Sequence, residues 1–446
     1  MTIRCRCLRV FTFAVFVLIL PSTLLAQPLT LEESIAIALK NSFVINIAKE
    51  GTRGAEAQKK EAMTGFLPKF STTYSYTRLN KAPYMAGFTS STFPPITVGP
   101  MDMGTINNYN WGIEARQPLF AGGGILANYQ ASKVAEDAAR VEETAKTLDV
   151  VLDVKTAYFN ILRMQRLTDT ARRQVEMLGA HSEVADNFFR VGLIPKNDML
   201  QAEVELANGK QTLVKAKNAV QLTKARLNTI LKQDVLSPVE IVDILDYKPM
   251  RQSFDECLGI ARQHRPELKI SALRVEQAGK MVSAAKSEFF PAVSLVGNYA
   301  RFGDTASLSG TQYKDTESWQ VMAVASWNFW EWGKTKYRVD AGKARENQAM
   351  DQTRELNDQI ALEIKNAFLV LQEAESQIAV SQKVIEQAEE NFRIAEARYK
   401  ERVARSTEVL DAQTLLTKAK AEYANALADY NIAHARLQRA MGVVHQ

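Results

Sequence analysis

The stretch KARENQAMDQTRELNDQIALEIKNAFLVLQEAESQIAVSQKVIEQAEENFRIAEARYKERVARSTEVLDAQTLLTKAKAEYANALADYNIAHARLQRA begins at Lys343, ends at Ala440 and contains neither glycine nor proline. Those two residue types interrupt almost every fold, and the stretch is rich in the good helix formers Ala, Glu, Gln, Lys, Arg and Leu. As one helix it would exceed ~140 Å, because each helical residue adds ~1.5 Å. Its apolar residues are spaced three and four apart, as in a coiled-coil seam: Ile385, Ala388, Phe392, Ala395 and Tyr399. We therefore expect a long helix that folds back once, or a rod.

The chain contains one pattern twice. The sequence Phe66-Leu67-Pro68 recurs as Phe289-Phe290-Pro291, which is 223 residues later. Further along, Ala225-Arg226-Leu227 recurs as Ala435-Arg436-Leu437, which is only 210 residues later. The first copy is therefore longer by 13 residues, and the extra residues lie before Gly123, which matches Gly333. A repeat longer than ~200 residues is one structural unit made twice rather than a solenoid.

Each unit is predicted to have the same order of elements. An opening helix (30–65 and 253–288) is followed by two strands, a long helix, a short break and a return helix. The strands are predicted at 70–77, 109–116, 293–302 and 319–327. The long helices are predicted at 124–190 and 334–400, and the return helices at 196–232 and 407–441. We place repeat 1 at 27–232, a linker at 233–252 and repeat 2 at 253–443.

Residues 1–26 are predicted to be a secretory signal peptide that is removed. A start carrying Arg4, Arg6 and Arg9 is followed by an apolar run to Leu20, and Ala26 is a plausible cleavage site. The alternative is an N-terminal membrane anchor, for which the apolar run is short. Cys257 is then the only thiol of the mature chain, so no internal disulfide is expected.

The charge balance gives no reason to propose nucleic acid or an anionic membrane surface as a partner. The chain has 55 basic and 50 acidic residues, and three of the basic ones lie in the predicted signal peptide, which leaves 52 against 50. A chain this close to neutral lacks the excess of basic residues that such partners attract.

The predicted strands alternate in polarity. In the clearest one, 109–116, Tyr, Trp, Ile and Ala lie on one face and Asn, Gly, Glu and Arg on the other. Exported strands of about ten residues with one apolar face fit the wall of a transmembrane β-barrel, and the alternative is an ordinary antiparallel sheet that packs on something else. Four strands cannot close a barrel, and lipid does not tolerate open sheet edges. Several copies, two or three, would therefore have to contribute strands, and helices of ~100 Å would project far into one compartment.

The mature chain resembles the outer membrane efflux protein family, the TolC-like outer membrane channels. The matching pieces are the opening segment, the helix-to-strand and strand-to-helix junctions and the first hairpin turn: 29–41, 66–68, 117–123 and 189–202. No single motif is very specific, but their order, repeated twice over the whole chain, is. The resemblance implies an α+β membrane protein in which four strands from each of three copies form one twelve-stranded barrel in the outer membrane. Four helices from each copy would form a coiled-coil tunnel through the periplasm.

The function implied by the resemblance is passive transport. A homotrimer would serve as the exit duct of a tripartite efflux or type I secretion system. Substrates would come from an inner-membrane pump, either a resistance-nodulation-division (RND) transporter or an ABC transporter, through a periplasmic adaptor (membrane fusion) protein. The substrate itself is left open. The resemblance implies no cofactor.

In this family, acidic residues near the second hairpin turn narrow the periplasmic end of the pore. The family positions fall on Glu408 and Asp411, which are three residues apart and so lie on one helix face. The alternative is that acids in a first helical turn only complement the helix dipole. The gate tyrosine is matched by Tyr399, and its alternative role is that of a seam residue. The arginine position falls on Ala404, between Arg402 and Arg405, so a charged latch is expected to differ in detail.

The family contacts its adaptor around both hairpin turns. The first break carries Gly192 and Pro195, whereas the second, at 402–406, carries neither glycine nor proline and is placed by the repeat. The usual glycine is replaced by Arg402. The adaptor contacts are predicted at Val191, Gly192, Leu193, Ile194, Val403 and Ala404.

Two other classes of function were weighed against the duct. A periplasmic coiled-coil adaptor or structural rod would need no lipid-facing sheet, so the strands at 109–116 and 319–327 argue against it. An exported enzyme would need a catalytic constellation, but the four histidines are scattered without metal-ligand spacing: His181, His264, His434 and His445. The glycine run 122–124 lacks the Lys-Ser/Thr of a phosphate loop.

Overall fold

The computed structural model describes residues 28–443. The predicted signal peptide therefore lies outside the described residues. Within this range, no helix is long and apolar enough to cross a membrane.

Two helical hairpins dominate the structure. The helices are α1 Leu31–Asn41, α2 Phe43–Thr64, α3 Gly124–Arg190, α4 Lys196–Leu231, α5 Phe254–His264, α6 Pro266–Lys286, α7 Lys334–Lys400 and α8 Ser406–Met441. Helices α3 and α7 each have 67 residues, and each pairs with the shorter return helix that follows it. At ~1.5 Å per residue, each is about 100 Å long. The long-helix boundaries agree with those predicted from the sequence.

A four-stranded antiparallel sheet forms at one end of the hairpins. The strands are β1 Lys69–Arg78, β2 Tyr84–Met85, β3 Phe88–Thr89, β4 Thr97–Val98, β5 Met101–Asp102, β6 Asn107–Ala121, β7 Ala292–Gly303 and β8 Glu317–Ser326. Strands β1, β6, β7 and β8 form the sheet in that order, and β2–β5 and β3–β4 are small ladders in the longer loop. The central β6–β7 pair joins the two repeats.

The opening helices differ from the prediction. One continuous helix was expected in each repeat, and this was wrong, because each is broken into two. The first break is at Ser42, whose extended backbone allows its hydroxyl to accept a hydrogen bond from the Ile45 N–H. The second break precedes Pro266, whose ring disfavours helical geometry at Arg265 and which occupies the first position of α6.

The hydrophobic core divides between the two repeats. One cluster joins α1, α3 and α4 to the linker, and its largest buried side chain is Tyr158. The Tyr158 hydroxyl donates to the carbonyl of Val242 at 2.7 Å and lies 3.0 Å from that of Leu29. A second cluster joins α5 and α7 to α8, and there Tyr430 donates to the Lys248 carbonyl at 2.7 Å. The linker between the repeats is thus held against both hairpins by buried tyrosines.

Candidate functional site

The two faces of the sheet differ in chemistry. The strand register puts alternate residues of all four strands on one common face, and this face is largely apolar and aromatic. It carries Phe70, Tyr74, Tyr76, Tyr109, Trp111, Ile113, Leu295, Tyr299, Trp319, Val321, Ala323 and Ala325. Ring contacts join neighbouring strands on this face, with Tyr76 and Tyr109 centroids 4.7 Å apart. Trp319 is nevertheless 76% exposed in the single chain. A sheet face of this kind fits lipid.

The opposite face is mostly polar. It carries Ser71, Thr73, Ser75, Asn110, Glu114, Arg116, Asn298, Ser318 and Gln320. Arg116 and Glu114 form an ion pair at 3.1 Å on this face. Charged and hydroxyl side chains are typical of the water-filled interior of a membrane barrel.

Both edges of the sheet are open. Within the described residues β1 pairs only with β6, and β8 pairs only with β7. Each outer strand therefore has ten residues with one side free for pairing. Unpaired backbone groups in lipid cost several kcal/mol each, so a sheet with two open edges would have to pair with further strands in a membrane.

The first hairpin turn, between α3 and α4, lies at the far end of the hairpin from the sheet. Gly192 adopts a left-handed conformation with φ of +74°, and its N–H donates to the Phe189 carbonyl at 2.9 Å. Leu193 donates to the Phe188 carbonyl at 2.8 Å. This pattern ends a helix by satisfying its last carbonyl groups. Val191 and Leu193 are left exposed at the tip.

The second turn, between α7 and α8, has the same geometry without glycine. Arg402 adopts φ of +66°, and its N–H donates to the Tyr399 carbonyl at 3.0 Å. Val403 donates to the Arg398 carbonyl at 2.9 Å, as its counterpart does in the first turn. A non-glycine residue in this conformation costs about 1–2 kcal/mol. Val403 is exposed and Ala404 is half-buried, so both tips present apolar side chains.

The two predicted constriction acids are exposed side by side near the start of α8. A Glu408 oxygen lies 3.3 Å from the Arg405 backbone N–H, which it caps, and another lies 3.5 Å from Arg398 Nη1. Glu408 therefore lies in the first turn of α8, where a carboxylate complements the helix dipole. The Asp411 side chain has no ion pair within residues 28–443. Arg398, which the sequence reasoning missed, offsets the charge of Glu408 but leaves that of Asp411.

Tyr399 lies in the seam between the hairpins. It is only 4% exposed, and its ring packs on His181 at 5.0 Å and on Phe188 at 5.7 Å between centroids. Burial raises the pKa of its hydroxyl, and the nearby Ser406 hydroxyl partly offsets that increase. No side-chain hydrogen bond or ion pair in the described range connects Tyr399 to Arg402 or Arg405. The structure thus brings Tyr399 together with α3 rather than with either arginine.

His181 is a further residue at this junction that the sequence reasoning missed. It is 8% exposed, and its Nε2 lies 2.8 Å from Ser406 Oγ. Leu178, His181 and Ala185 are buried on α3 at spacings of three and four. That spacing was the available signal, since it marks His181 as a seam position.

No group of three or more His, Cys, Asp or Glu residues between positions 28 and 443 is arranged to hold a metal ion. His181 is engaged with a hydroxyl, and Cys257 is buried.

Solved structures of several channels have the same fold. The Campylobacter jejuni CmeC outer membrane channel matches with a TM-score of 0.77 at 20% identity, over 92% of this chain and 85% of that one. The outer membrane protein VceC from Vibrio cholerae also gives 0.77, at 19% identity, over 93% of this chain and 96% of that one.

The sequence is also similar to outer membrane proteins of other bacteria. Outer membrane protein TolC of Escherichia coli is 22% identical over 72% of this chain and 67% of its own length. Outer membrane efflux protein BepC of Brucella suis is 21% identical over 79% of this chain and 72% of its own length. The family profile described as "Outer membrane efflux protein" matches residues 35–232 and 257–443, which are most of the chain. This protein therefore belongs to the outer membrane efflux protein family, with its sheet in the outer membrane and its helices in the periplasm.

Proposed function

We propose that three copies of this chain close into one duct that carries substrates across the outer membrane. The observation that carries this proposal is the sheet, which has one apolar aromatic face, one polar face and two open edges. Pairing β8 of one copy with β1 of the next would remove all edges, and three copies would give twelve strands. The hairpins, of about 100 Å, would continue the lumen into the periplasm.

The repeat explains how one chain supplies four tunnel helices. We propose repeat 1 at 27–232 and repeat 2 at 253–443, joined by the linker 233–252. Each repeat contributes one long hairpin and two strands. The linker packs against both hairpins through Tyr158 and Tyr430, and so would form a belt around the middle of the tunnel.

Substrates would be delivered at the hairpin tips. An inner-membrane pump of the RND or ABC class would hand them over through a periplasmic adaptor. The apolar side chains at the tips are suited to packing against helical hairpins of an adaptor. Val191, Leu193 and Val403 are exposed there, Ile194 and Ala404 are half-buried, and Gly192 shapes the first turn. Transport through the duct would be passive, because the driving energy belongs to the pump.

Glu408 and Asp411 would form the narrow part of the lumen. Around a three-fold axis they would supply six carboxylates, which would attract cations. Since Arg398 pairs with Glu408, we assign the larger share of the uncompensated charge to Asp411. Tyr399, Arg402 and Arg405 complete the proposed gate as the packed seam residue and the two cationic residues of the second turn.

Single-channel recording of the purified trimer in a planar bilayer tests this proposal. We expect a small, cation-selective conductance, and we expect Glu408→Ala/Asp411→Ala to lose selectivity and sensitivity to multivalent cations. Of the single variants, Asp411→Ala should reduce cation selectivity more than Glu408→Ala does. Conductance that the double variant leaves unchanged would remove both acids from the gate. Protein that stays soluble without detergent and never inserts would contradict the duct.

A further inference from the structure

Side-chain contacts between α3 and α8 run along the seam that joins the two hairpins. They are Asp149–Arg439, Lys155–Gln438, Arg163–Asp429, the Gln174 carbonyl with Gln413, and His181–Ser406. The last is nearest the tip, about 14 Å from the end of α3 at ~1.5 Å per residue. Ser406 is the first residue of α8, so this contact ties the second hairpin turn directly to α3. Nothing in the proposed constriction uses it.

The junction around His181 contains buried polar atoms that lack hydrogen-bond partners. Tyr399 Oη and Gln413 Oε1 are buried there without a hydrogen-bond partner in the described range. A buried polar atom without a partner costs about 1–3 kcal/mol. A cavity of about 210 Å³ adjoins these groups and is also lined by Met177, Val184 and Phe392. Separation of the hairpins would expose these two atoms to water, which would offset part of the packing energy of the closed junction.

We propose that His181 is a positioning residue for the gate: its neutral ring holds the second hairpin turn against α3, and protonation of the ring favours the state in which the two hairpins separate. This inference rests on the proposed duct, whose periplasmic end would open by that separation. The ring has one hydrogen-bond partner among residues 28–443, Ser406 Oγ. An imidazolium has two N–H donors, and the Ser406 hydroxyl can accept only one of them, so the second would have no acceptor among these residues.

The charges around His181 set the direction of the effect. Burial lowers the pKa of His181, and Glu396 on α7 partly opposes this. Glu396 is paired with Lys400 at 3.0 Å, which weakens its influence. On α8, Ser406, which contacts the ring, and Gln413, which lines the adjoining cavity, do not titrate. Asp198, at the start of α4, acts on Tyr399.

The sign of the pH dependence follows from these pKa values. In the closed state the pKa of His181 lies below its ordinary value, whereas a solvent-exposed ring in the open state would titrate near ~6.5. As the pH falls below ~6.5, the His181 ring therefore becomes protonated in the open state while it stays neutral in the closed state. Between the two pKa values, the ratio of open to closed junctions should rise about tenfold per pH unit in each subunit.

Open probability of the reconstituted trimer between about pH 7.5 and 5 tests the proposal. We expect it to rise on acidification in the wild type. In His181→Gln it should stay low and change much less, because the amide still reaches Ser406 but does not titrate. Ser406→Ala should raise the open probability at pH 7.5 and retain the pH dependence. His264→Gln removes an exposed histidine on α5 and serves as the matched control with a wild-type profile.

Hydrogen exchange of the wild-type trimer provides a second measurement that needs no variant. After correction for intrinsic rates, segments 178–186 and 406–413 should lose protection at about pH 5.5, while 150–162 in the core should not. The inference would be overturned if the open probability of His181→Gln depended on pH as that of the wild type does. It would also be overturned if the core segment 150–162 lost as much protection as segments 178–186 and 406–413. Either result would assign the pH response to the carboxylates. Channels that never form at any pH would instead contradict the proposed duct.

Discussion

An arginine introduced on the apolar face of β8 should destabilise the protein, whereas one on the polar face should not. Ala323 shares the apolar face of β8 with Trp319, four residues earlier, and Trp327 follows four residues later, just beyond the end of the strand. Eight residues cover about 27 Å of strand, or about 20 Å of height at the usual tilt of ~40°. Ala323 would therefore sit near the middle of the membrane.

The expected cost follows from that depth. Ala323→Arg should lower the free energy of unfolding by about 2–4 kcal/mol per chain, which is the cost of arginine at the bilayer midplane on the lipid face. Gln320→Arg is the matched control on the same strand. Because Gln320 pairs with Asn298 on the polar face, this change should stay within about 0.5 kcal/mol.

The assay is urea titration of folding into phospholipid vesicles, followed by tryptophan fluorescence. All five tryptophans lie in β6, in β8 or within six residues after β8, so the signal reports on the sheet. Equal costs for the two variants, or a larger cost for Gln320→Arg, would refute the assignment of the faces.

Five further substitutions test three local features, each by its effect on the unfolding of the trimer. Arg402→Gly should stabilise it by about 1 kcal/mol and Gly192→Ala should destabilise it similarly, because both positions have positive φ. A destabilising Arg402→Gly or a stabilising Gly192→Ala would refute this reading of the turns. Tyr399→Phe should be neutral or stabilising, because the lost hydroxyl has no partner, whereas Tyr399→Ala should cost about 3–5 kcal/mol; a costly Tyr399→Phe would reveal a missed hydrogen bond. Hydrogen bonds from Lys59 and then Arg140 hold the pKa of buried Glu136 below its ordinary value. The stability that ionised Glu136 contributes is therefore fully present above pH ~4.3, the unfolded-state pKa, and is lost as the pH falls through the lower folded-state pKa. Glu136→Gln should flatten that part of the melting-temperature profile.

The long helices and the strands could be predicted because their signals are local and repeated. Uninterrupted helix formers fix the interiors of α3 and α7, and Gly123 and Gly333, both with positive φ, mark their starts. Period-two alternation fixes the strands, and the register then brings their apolar residues onto one face. The second turn has no local signal, because Arg402 occupies the position where the first turn has Gly192, and only the repeat located it.

Other features depend on tertiary contacts that a sequence pattern does not contain. The break at Ser42 arises from a single capping hydroxyl, which resembles any serine on a helix surface. The pairing of Arg398 with Glu408 depends on how the second turn folds back. The contact of His181 with Ser406 joins residues 225 positions apart, and only the packing of α3 against α8 brings them together.

The central claim is that one chain supplies a third of the barrel. Native mass spectrometry of the full-length protein, extracted from outer membranes in mild detergent, counts the copies directly. We expect an assembly of three chains, since three sheets of four strands leave no open edge. A stable, membrane-inserted complex of one or two chains would contradict it.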